Sequence, residues 1–189
     1  FMARLKKPPM DYKQEAMKQW TETPIGVGVT VHQAGTPEFF QAVEKDRYEV
    51  YAPWMKEFFG FDAYRKKRVL EIGVGVGTDH LQFARSGAIM TGIDITPRSI
   101  ELTRANLARF GYTSDLRVAD AEALPFPVHT FDVVYSFGVL HHTPHTKRAM
   151  NEVYRVLKPG GVALVALYHR NSFVYWFNLR IWERIVHLR

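Results

Sequence analysis

The chain has 189 residues, no cysteine, and 25 Lys and Arg against 19 Asp and Glu, which gives a formal net charge of +6. This length suits a single domain with one hydrophobic core. The absence of cysteine excludes disulfides, thiolate zinc sites, iron–sulfur clusters and cysteine nucleophiles. The longest apolar run, 162–168, is far shorter than the roughly 20 residues of a membrane-spanning helix, and the N-terminal sequence lacks the apolar stretch of a secretory signal. We therefore expect a cytoplasmic protein.

The first predicted unit is a helical N-terminal head, residues 1–67. Helical patterning predicts helices at 11–20, 37–44 and 47–59, and a Gly-rich segment after the first helix predicts a loop. We expect this head to form a lid over the rest of the chain. The aromatic residues that could face a ligand there, or equally serve only as packing residues, are Trp20, Phe39, Phe40 and Tyr51.

The second predicted unit, 68–189, alternates short β-branched runs with helical stretches. The predicted strands are 68–73, 88–94, 115–120, 132–137 and 161–168. The predicted helices are 79–86, 97–110 and 146–157, and Lys158–Gly161 is predicted to turn the chain into the last strand. This alternation indicates an α/β fold with a doubly wound sheet, whose ligand crevice lies at the carboxyl ends of the strands.

A glycine-rich segment joins the first predicted strand to the first helix of this unit. It reads Glu71-Ile72-Gly73-Val74-Gly75-Val76-Gly77. A dinucleotide fingerprint would need a third glycine at the position of Thr78, and a phosphate-binding P-loop would need a Gly-Lys-Ser/Thr ending. A carboxylate at Glu71 would repel pyrophosphate and attract an ammonium group. The segment therefore favours a cationic amino-acid nucleoside as ligand. The alternative is that the glycines only allow the chain to turn.

The string EIGVGVG resembles the first motif of class I S-adenosylmethionine-dependent methyltransferases, and the chain is most similar to their type-11 (UbiE-like) group. Later segments of the chain resemble the later motifs of this family, in the same order. These segments are Asp94, Asp120-Ala121-Glu122, 131–142 and 157–161. It implies a Rossmann-like, mostly parallel sheet of strand order 3-2-1-4-5, with S-adenosyl-L-methionine as cofactor and S-adenosyl-L-homocysteine as product. Family members continue with a helix and two more strands, so we expect either a truncated chain or a homodimer that covers the fifth strand.

The resemblance also implies the cofactor contacts. They are Glu71, Gly73, Gly75, Gly77, Asp79, Asp94, Ile95, Asp120, Ala121, Glu122, Ser136 and Phe137. Asp94 would bind the ribose hydroxyls and Asp120 the exocyclic amine of adenine. The alternative for both aspartates is that they only cap the ends of strands.

Three histidines follow the fourth predicted strand. His141 and His142 are the candidate catalytic residues, as a general base or as substrate contacts, and ordinary loop polarity is the alternative. A metal site at His141, His142 and His145 is disfavoured, because that stretch contains no carboxylate. We expect no metal.

These features predict a methyltransferase that acts on the O, N or C nucleophile of a small organic acceptor. The chain lacks the cysteine of pyrimidine C5 methylation, the Asn/Asp-Pro-Pro-Tyr/Phe motif of base-amine enzymes and the paired glutamates of protein-arginine enzymes. We interpret the four basic residues 65–68, which precede a predicted strand, as a solvent-exposed edge of the fold. No nucleic-acid partner is expected. One alternative is a membrane-associated lipid or quinone acceptor, with weak membrane contact through the amphipathic segment 172–189. Another is a non-catalytic scaffold that binds the cofactor.

Overall fold

The structure is a computed structural model, and it describes residues 12–22 and 28–167. Its strands are β1 (Arg68–Ile72), β2 (Ile89–Asp94), β3 (Asp115–Val118), β4 (Phe131–Phe137) and β5 (Leu157–Ala166). Its α-helices are α1 (Tyr12–Glu22), α2 (Pro37–Lys45), α3 (Met55–Phe59), α4 (Thr78–Arg85), α5 (Pro97–Ala108) and α6 (Thr146–Val156). The predicted amphipathic segment 172–189 lies outside the described residues.

The five strands form one parallel sheet of order β3-β2-β1-β4-β5, which confirms the predicted α/β fold class. β1 is central, since Val69 pairs with Met90 of β2 and with Val133 of β4. Strand order reverses at β1, so a crevice opens between the carboxyl ends of β1, β2 and β4. The fold thus places the loop 73–77 at the switch point.

Alternation along β1 divides the core between the two faces of the sheet. Val69 faces the aromatic cluster of α4 and the head, whereas Leu70 and Ile72 face α6. The head residues in the first cluster are Tyr48, Ala52, Met55, Phe59 and Phe61. The described part of the head from residue 48 onwards therefore shares one core with the sheet.

The third predicted head helix, 47–59, is interrupted in the structure. α2 continues into a π-helical segment, Asp46–Tyr51, and α3 begins only at Met55. Pro53 explains the break, because proline lacks the N–H that a continuous helix needs and disfavours helical backbone at the residue before it. Ala52 accordingly has φ −147° and ψ 67°.

The prediction that the last strand begins at residue 161 was wrong. Leu157 already pairs with Phe131, and the next aligned pair is Val133 with Val162, so the residues between them form a bulge inside β5. Glycine is needed at 161, where a Cβ atom would lie 2.9 Å from the carbonyl oxygen of Lys158. Within the described residues, no helix is long and apolar enough to span a membrane.

Candidate functional site

A cavity of about 100 Å³ lies where the carboxyl ends of β1, β2 and β3 face the loop after β4. It is lined by Lys13, Trp20, Ile72, Gly73, Gly75, Ile93, Asp94, Ile95, Ser99, Ala119, Asp120, Ala121, Gly138, Val139, His142, Thr143 and Pro144. Six of the cofactor contacts implied by the resemblance are in this set, namely Gly73, Gly75, Asp94, Ile95, Asp120 and Ala121, and so is the candidate catalytic residue His142. Lys13 and Trp20 of α1 belong to this lining, so the head contributes to the cavity wall.

The glycine loop has a backbone that side chains would not permit. Gly73, Gly75 and Gly77 have φ values of 80°, 55° and 76°, all in the left-handed region. A Cβ atom on Gly73 would lie 2.3 Å from Cγ2 of Val139, and one on Gly77 would lie 2.9 Å from Cγ2 of Thr103. Gly73 and Gly75 therefore leave backbone open to the cavity, whereas Gly77 allows close packing against α5.

Asp94 is the last residue of β2, and its carboxyl group forms hydrogen bonds both with the glycine loop and with Thr96, the residue before α5. Its Oδ2 accepts a hydrogen bond from the N–H of Gly75 at 3.1 Å, and its Oδ1 accepts from the N–H and the hydroxyl of Thr96, each at 3.0 Å. Burial raises the pKa of Asp94, although these hydrogen bonds oppose the shift. The Asp94 residue lines the cavity wall at the end of β2, the position at which an acidic residue binds ribose hydroxyls in related dinucleotide sites.

Lys13 of α1 closes the opposite side of the cavity, and no local pattern indicated it. Its Nζ lies 2.5 Å from Oδ2 of Asp120 and 3.0 Å from Oε2 of Glu122. The hydrogen bond to Asp120 raises the pKa of Lys13. Burial alone would raise the pKa values of both carboxyl groups, but the hydrogen bonds that they accept reverse this and lower them. Glu122 is buried and points to Lys13 and to the N–H of His145.

The rings of the two candidate catalytic histidines contact each other in a tilted arrangement, with centroids 4.1 Å apart and an angle of 46° between the planes. Only His142 lines the cavity, where Trp20 packs edge-on at 5.6 Å. Burial lowers the pKa of His141 to about 4, and it also lowers that of His142. A neutral imidazole at His142 can accept a proton from a bound group.

No group of three or more His, Cys, Asp or Glu suited to a metal occurs among the residues that the structure describes.

Asp79, in the first turn of α4, does not line the cavity. Its Oδ1 accepts from Nε of Arg47 at 3.2 Å and from the hydroxyl of Tyr48 at 2.7 Å. Its Oδ2 accepts from Nη2 of Arg47 at 2.5 Å and from the hydroxyl of Tyr135 at 2.7 Å. Burial and the Asp79 charge raise the pKa values of both phenols, so both hydroxyls are proton donors. Asp79 is therefore the centre of a buried network that joins the head to the sheet.

Five other implied contacts also lie outside the cavity lining: Glu71, Gly77, Glu122, Ser136 and Phe137. Glu71 is buried beside His80 of α4. Ser136 is buried and donates to the carbonyl oxygen of Ile72 at 3.1 Å. Phe137 packs under the guanidinium of Arg47, whose Cζ lies 4.2 Å from the ring centroid.

The lining of the cavity has chemical groups of the kind that an amino-acid nucleoside needs. Two glycines expose backbone, the Asp94 carboxyl suits a ribose diol, and the wall between Asp94 and Asp120 is apolar. Its apolar residues are Ile72, Ile93, Ala119, Ala121 and Val139. The fold and the site together define a doubly wound α/β domain with a cavity at its switch point, lined by the glycine loop and Asp94.

Residues 70–165, slightly more than half of the chain, match the type-11 methyltransferase domain. The chain therefore belongs to the methyltransferase domain family, in its type-11, UbiE-like group with the class I fold.

Three proteins illustrate the similarity. The chain is 38% identical over 98 residues to sterol 4-C-methyltransferase of Caenorhabditis elegans, covering 51% of this chain and 29% of that protein. It is 35% identical over 121 residues to demethylmenaquinone methyltransferase of Tropheryma whipplei, covering 64% of this chain and 49% of that protein. The structure of an S-adenosylmethionine-dependent methyltransferase from Mesorhizobium loti superposes on this chain with a TM-score of 0.52 at 25% identity. The superposition covers 60% of this chain and 54% of that protein. The chain thus spans about half or less of each protein.

Proposed function

We propose that the chain is the cofactor-binding part of an S-adenosylmethionine-dependent methyltransferase that acts on a small organic acceptor with an apolar ring. The observation that carries this proposal is the cavity between Gly73, Gly75 and Asp94. When bound, S-adenosylmethionine supplies an activated methyl group. Asp94 would hold the ribose, Asp120 the adenine amine, and the glycine loop would give the amino-acid portion close access to backbone.

His142 is the candidate base, because it alone of the two adjacent histidines lines the cavity. Burial lowers its pKa, so the imidazole is neutral near neutral pH and one ring nitrogen can accept a proton. A base is needed only where the acceptor must lose a proton, as a phenol or an activated carbon does. Trp20 and the walls of the cavity would exclude water from that proton transfer.

An exposed aromatic surface next to the cavity supports an apolar acceptor. Tyr51, Trp54 and Phe58 are each at least half exposed, and the Trp54 ring lies 6.4 Å from that of Phe137. Phe137 directly precedes Gly138 of the cavity wall. The names of two relatives, a sterol and a demethylmenaquinone methyltransferase, agree with an apolar ring. We therefore favour the lipid or quinone acceptor over a non-catalytic scaffold.

Calorimetry with S-adenosylhomocysteine and a methyl-transfer assay test this proposal. The assay uses labelled S-adenosylmethionine and three acceptors presented in detergent: a prenylated hydroquinone, a sterol and a water-soluble phenol. We expect binding of S-adenosylhomocysteine and transfer to at least one of the apolar acceptors in preference to the phenol. Binding without transfer would favour the scaffold, and preference for the phenol would refute the apolar acceptor.

Removing the Lys13 charge is expected to speed cofactor entry. In a Lys13→Met variant, α1 loses its ionic attachment to Asp120 and Glu122, and Asp120 becomes available to the adenine amine. Because Lys13 is about one-third exposed, its ion pair contributes about 1 kcal/mol or less. The association rate of S-adenosylhomocysteine, measured by stopped-flow fluorescence, should therefore rise about threefold to fivefold.

Lys18→Met is the matched control. Lys18 lies on the same helix, but it is 74% exposed and its ion pair with Glu22 has a separation of 4.0 Å. We expect its association rate to equal that of the wild type. Equal rates in all three proteins would show that Lys13 does not restrict entry.

A further inference from the structure

A chain of hydrogen bonds behind the glycine loop fixes the position of each proton in it. The hydroxyl of Ser114 donates to the carbonyl oxygen of Met90 at 2.8 Å. A serine hydroxyl has one proton, so it must accept the hydrogen bond that joins it to Nε2 of His80 at 2.9 Å. Nε2 of His80 therefore carries a proton.

The other end of the same imidazole then determines the state of Glu71. Nδ1 of His80 lies 2.8 Å from Oε2 of Glu71, and one proton must lie between them, since two bare lone pairs would repel at this distance. If His80 is neutral, that proton belongs to Glu71. Both side chains are fully buried, where a neutral pair costs less than two separated charges.

The surroundings oppose a negative charge on Glu71. Burial raises the pKa of Glu71 well above its usual range, and the neighbouring Asp79 carboxylate adds to this, whereas Arg47 opposes it. Burial lowers the pKa of His80 to about 3. The titratable and charged groups that act on Glu71 are His80 and Asp79 of α4, Arg47 and Tyr48 of the head, Asp94 of β2 and Tyr135 of β4.

The backbone of β2 is adapted to this arrangement. Gly92 lies beside the imidazole, and a Cβ atom there would be 2.9 Å from Cε1 of His80 and 2.6 Å from Cγ1 of Val74. A side chain at 92 would displace His80 from its position between Glu71 and Ser114. Glycine at this strand position thus has a packing role.

We infer that Glu71 is a protonated hydrogen-bond donor that holds neutral His80 in place, and that it is not an anionic partner for the ammonium group of a bound cofactor. Glu71 is then a positioning residue for the strand that precedes the glycine loop. The part of this inference that concerns the cofactor rests on the proposed function. It leaves Asp94 and Asp120 as the carboxyl groups among the described residues of the cavity wall.

Imidazole ¹⁵N chemical shifts of the wild-type protein test the proton positions directly. We expect the signals of His80 to be those of the neutral Nε2–H tautomer, without titration between about pH 5 and pH 8. Signals of an imidazolium would overturn the inference, because they would place the negative charge on Glu71. This test requires neither a variant nor a ligand.

A Glu71→Gln variant tests the charge through linkage. The glutamine amide can still donate to Nδ1 of His80. Above about pH 6.5, the folded wild-type pair retains one proton that the unfolded chain has lost, so rising pH destabilises the wild type. The pair in E71Q releases no proton there. The unfolding constant of the wild type should therefore rise relative to that of E71Q by about tenfold per pH unit, until Glu71 ionises in the folded state.

Glu122→Gln is the control for this comparison. Glu122 is equally buried, but its lowered pKa makes it an anion in the folded protein, so the ratio of unfolding constants for wild type and E122Q should be constant above about pH 6.5. A constant ratio for E71Q as well would overturn the inference.

If the wild type binds S-adenosylhomocysteine, E71Q should bind it within about threefold of the wild type, whereas loss of a paired charge would cost tenfold or more. Absence of binding by the wild type would refute the proposed function and leave the linkage result valid.

Discussion

Replacing Asp94 by asparagine is expected to remove the stabilisation of this protein by S-adenosylhomocysteine. Ligand at a hundredfold excess over its dissociation constant adds about 2.7 kcal/mol to stability, or roughly 5–10 °C in the unfolding midpoint. Two hydrogen bonds from ribose to a carboxylate contribute about 1.5–3 kcal/mol each, so their loss weakens binding by roughly a hundredfold or more. Differential scanning fluorimetry at one ligand concentration should show the shift in the wild type and none in D94N.

Asparagine is preferred to alanine because Asp94 also accepts hydrogen bonds from Gly75 and Thr96. Its amide oxygen keeps part of that pattern, so D94N should fold with a lower midpoint. Asp115→Asn is the matched control, since Asp115 begins β3 at the opposite end of the sheet and pairs with Arg117 at the surface. An equal ligand shift in D94N and the wild type would place the ribose elsewhere.

The parts of the fold and site that the sequence predicted are those fixed by local backbone. The Gly73 to Gly77 loop needs left-handed glycines next to a buried strand, and Asp94 ends the neighbouring strand of a parallel sheet. Both features depend on residues a few positions apart, so periodicity and spacing reveal them. The strand order came from the family resemblance and agrees with the structure.

The parts that the sequence did not predict depend on partners distant in the chain. The carboxyl group of Asp120 meets Lys13 across 107 positions, and Asp79 meets Tyr135 across 56. The alternation of β1 places Glu71 on the same face as Val69, away from the cavity, but its partner His80 becomes apparent only when α4 packs on that face. Two of the expected cofactor carboxylates, at 71 and 79, thus belong to buried networks.

The Asp79 network is a buried polar connection between the head and the sheet. Asp79 begins the helix that follows the glycine loop, and it receives four hydrogen bonds from Arg47, Tyr48 and Tyr135. Burial would lower the pKa of Arg47, but the Asp79 charge reverses this and raises it, so the guanidinium stays charged. The side chains of Arg47 and Asp79 are 18% and 7% exposed, so water can replace little of this pairing.

Replacing Arg47 by methionine is therefore expected to destabilise the fold by about 3–5 kcal/mol, because it leaves a buried carboxylate without its counter-charge. Urea unfolding followed by circular dichroism measures this loss. Arg85→Met is the matched control: Arg85 also joins α4 to the head, through Glu44, but both side chains are more exposed and the expected cost is about 1 kcal/mol or less. Equal losses in the two variants would contradict a special role for the buried pair.

The double variant R47M/D79N separates the charge from the packing of this network. Asparagine at 79 needs no counter-charge, and its amide oxygen can still accept hydrogen bonds from Tyr48 and Tyr135. We expect the double variant to be more stable than R47M alone, with a coupling energy between the two sites of about 1–3 kcal/mol in a double-mutant cycle. Additive losses would instead show that Arg47 stabilises the head through its packing on Phe137. The cycle thus determines whether the head is attached to the glycine-loop helix by charge or by aromatic contact.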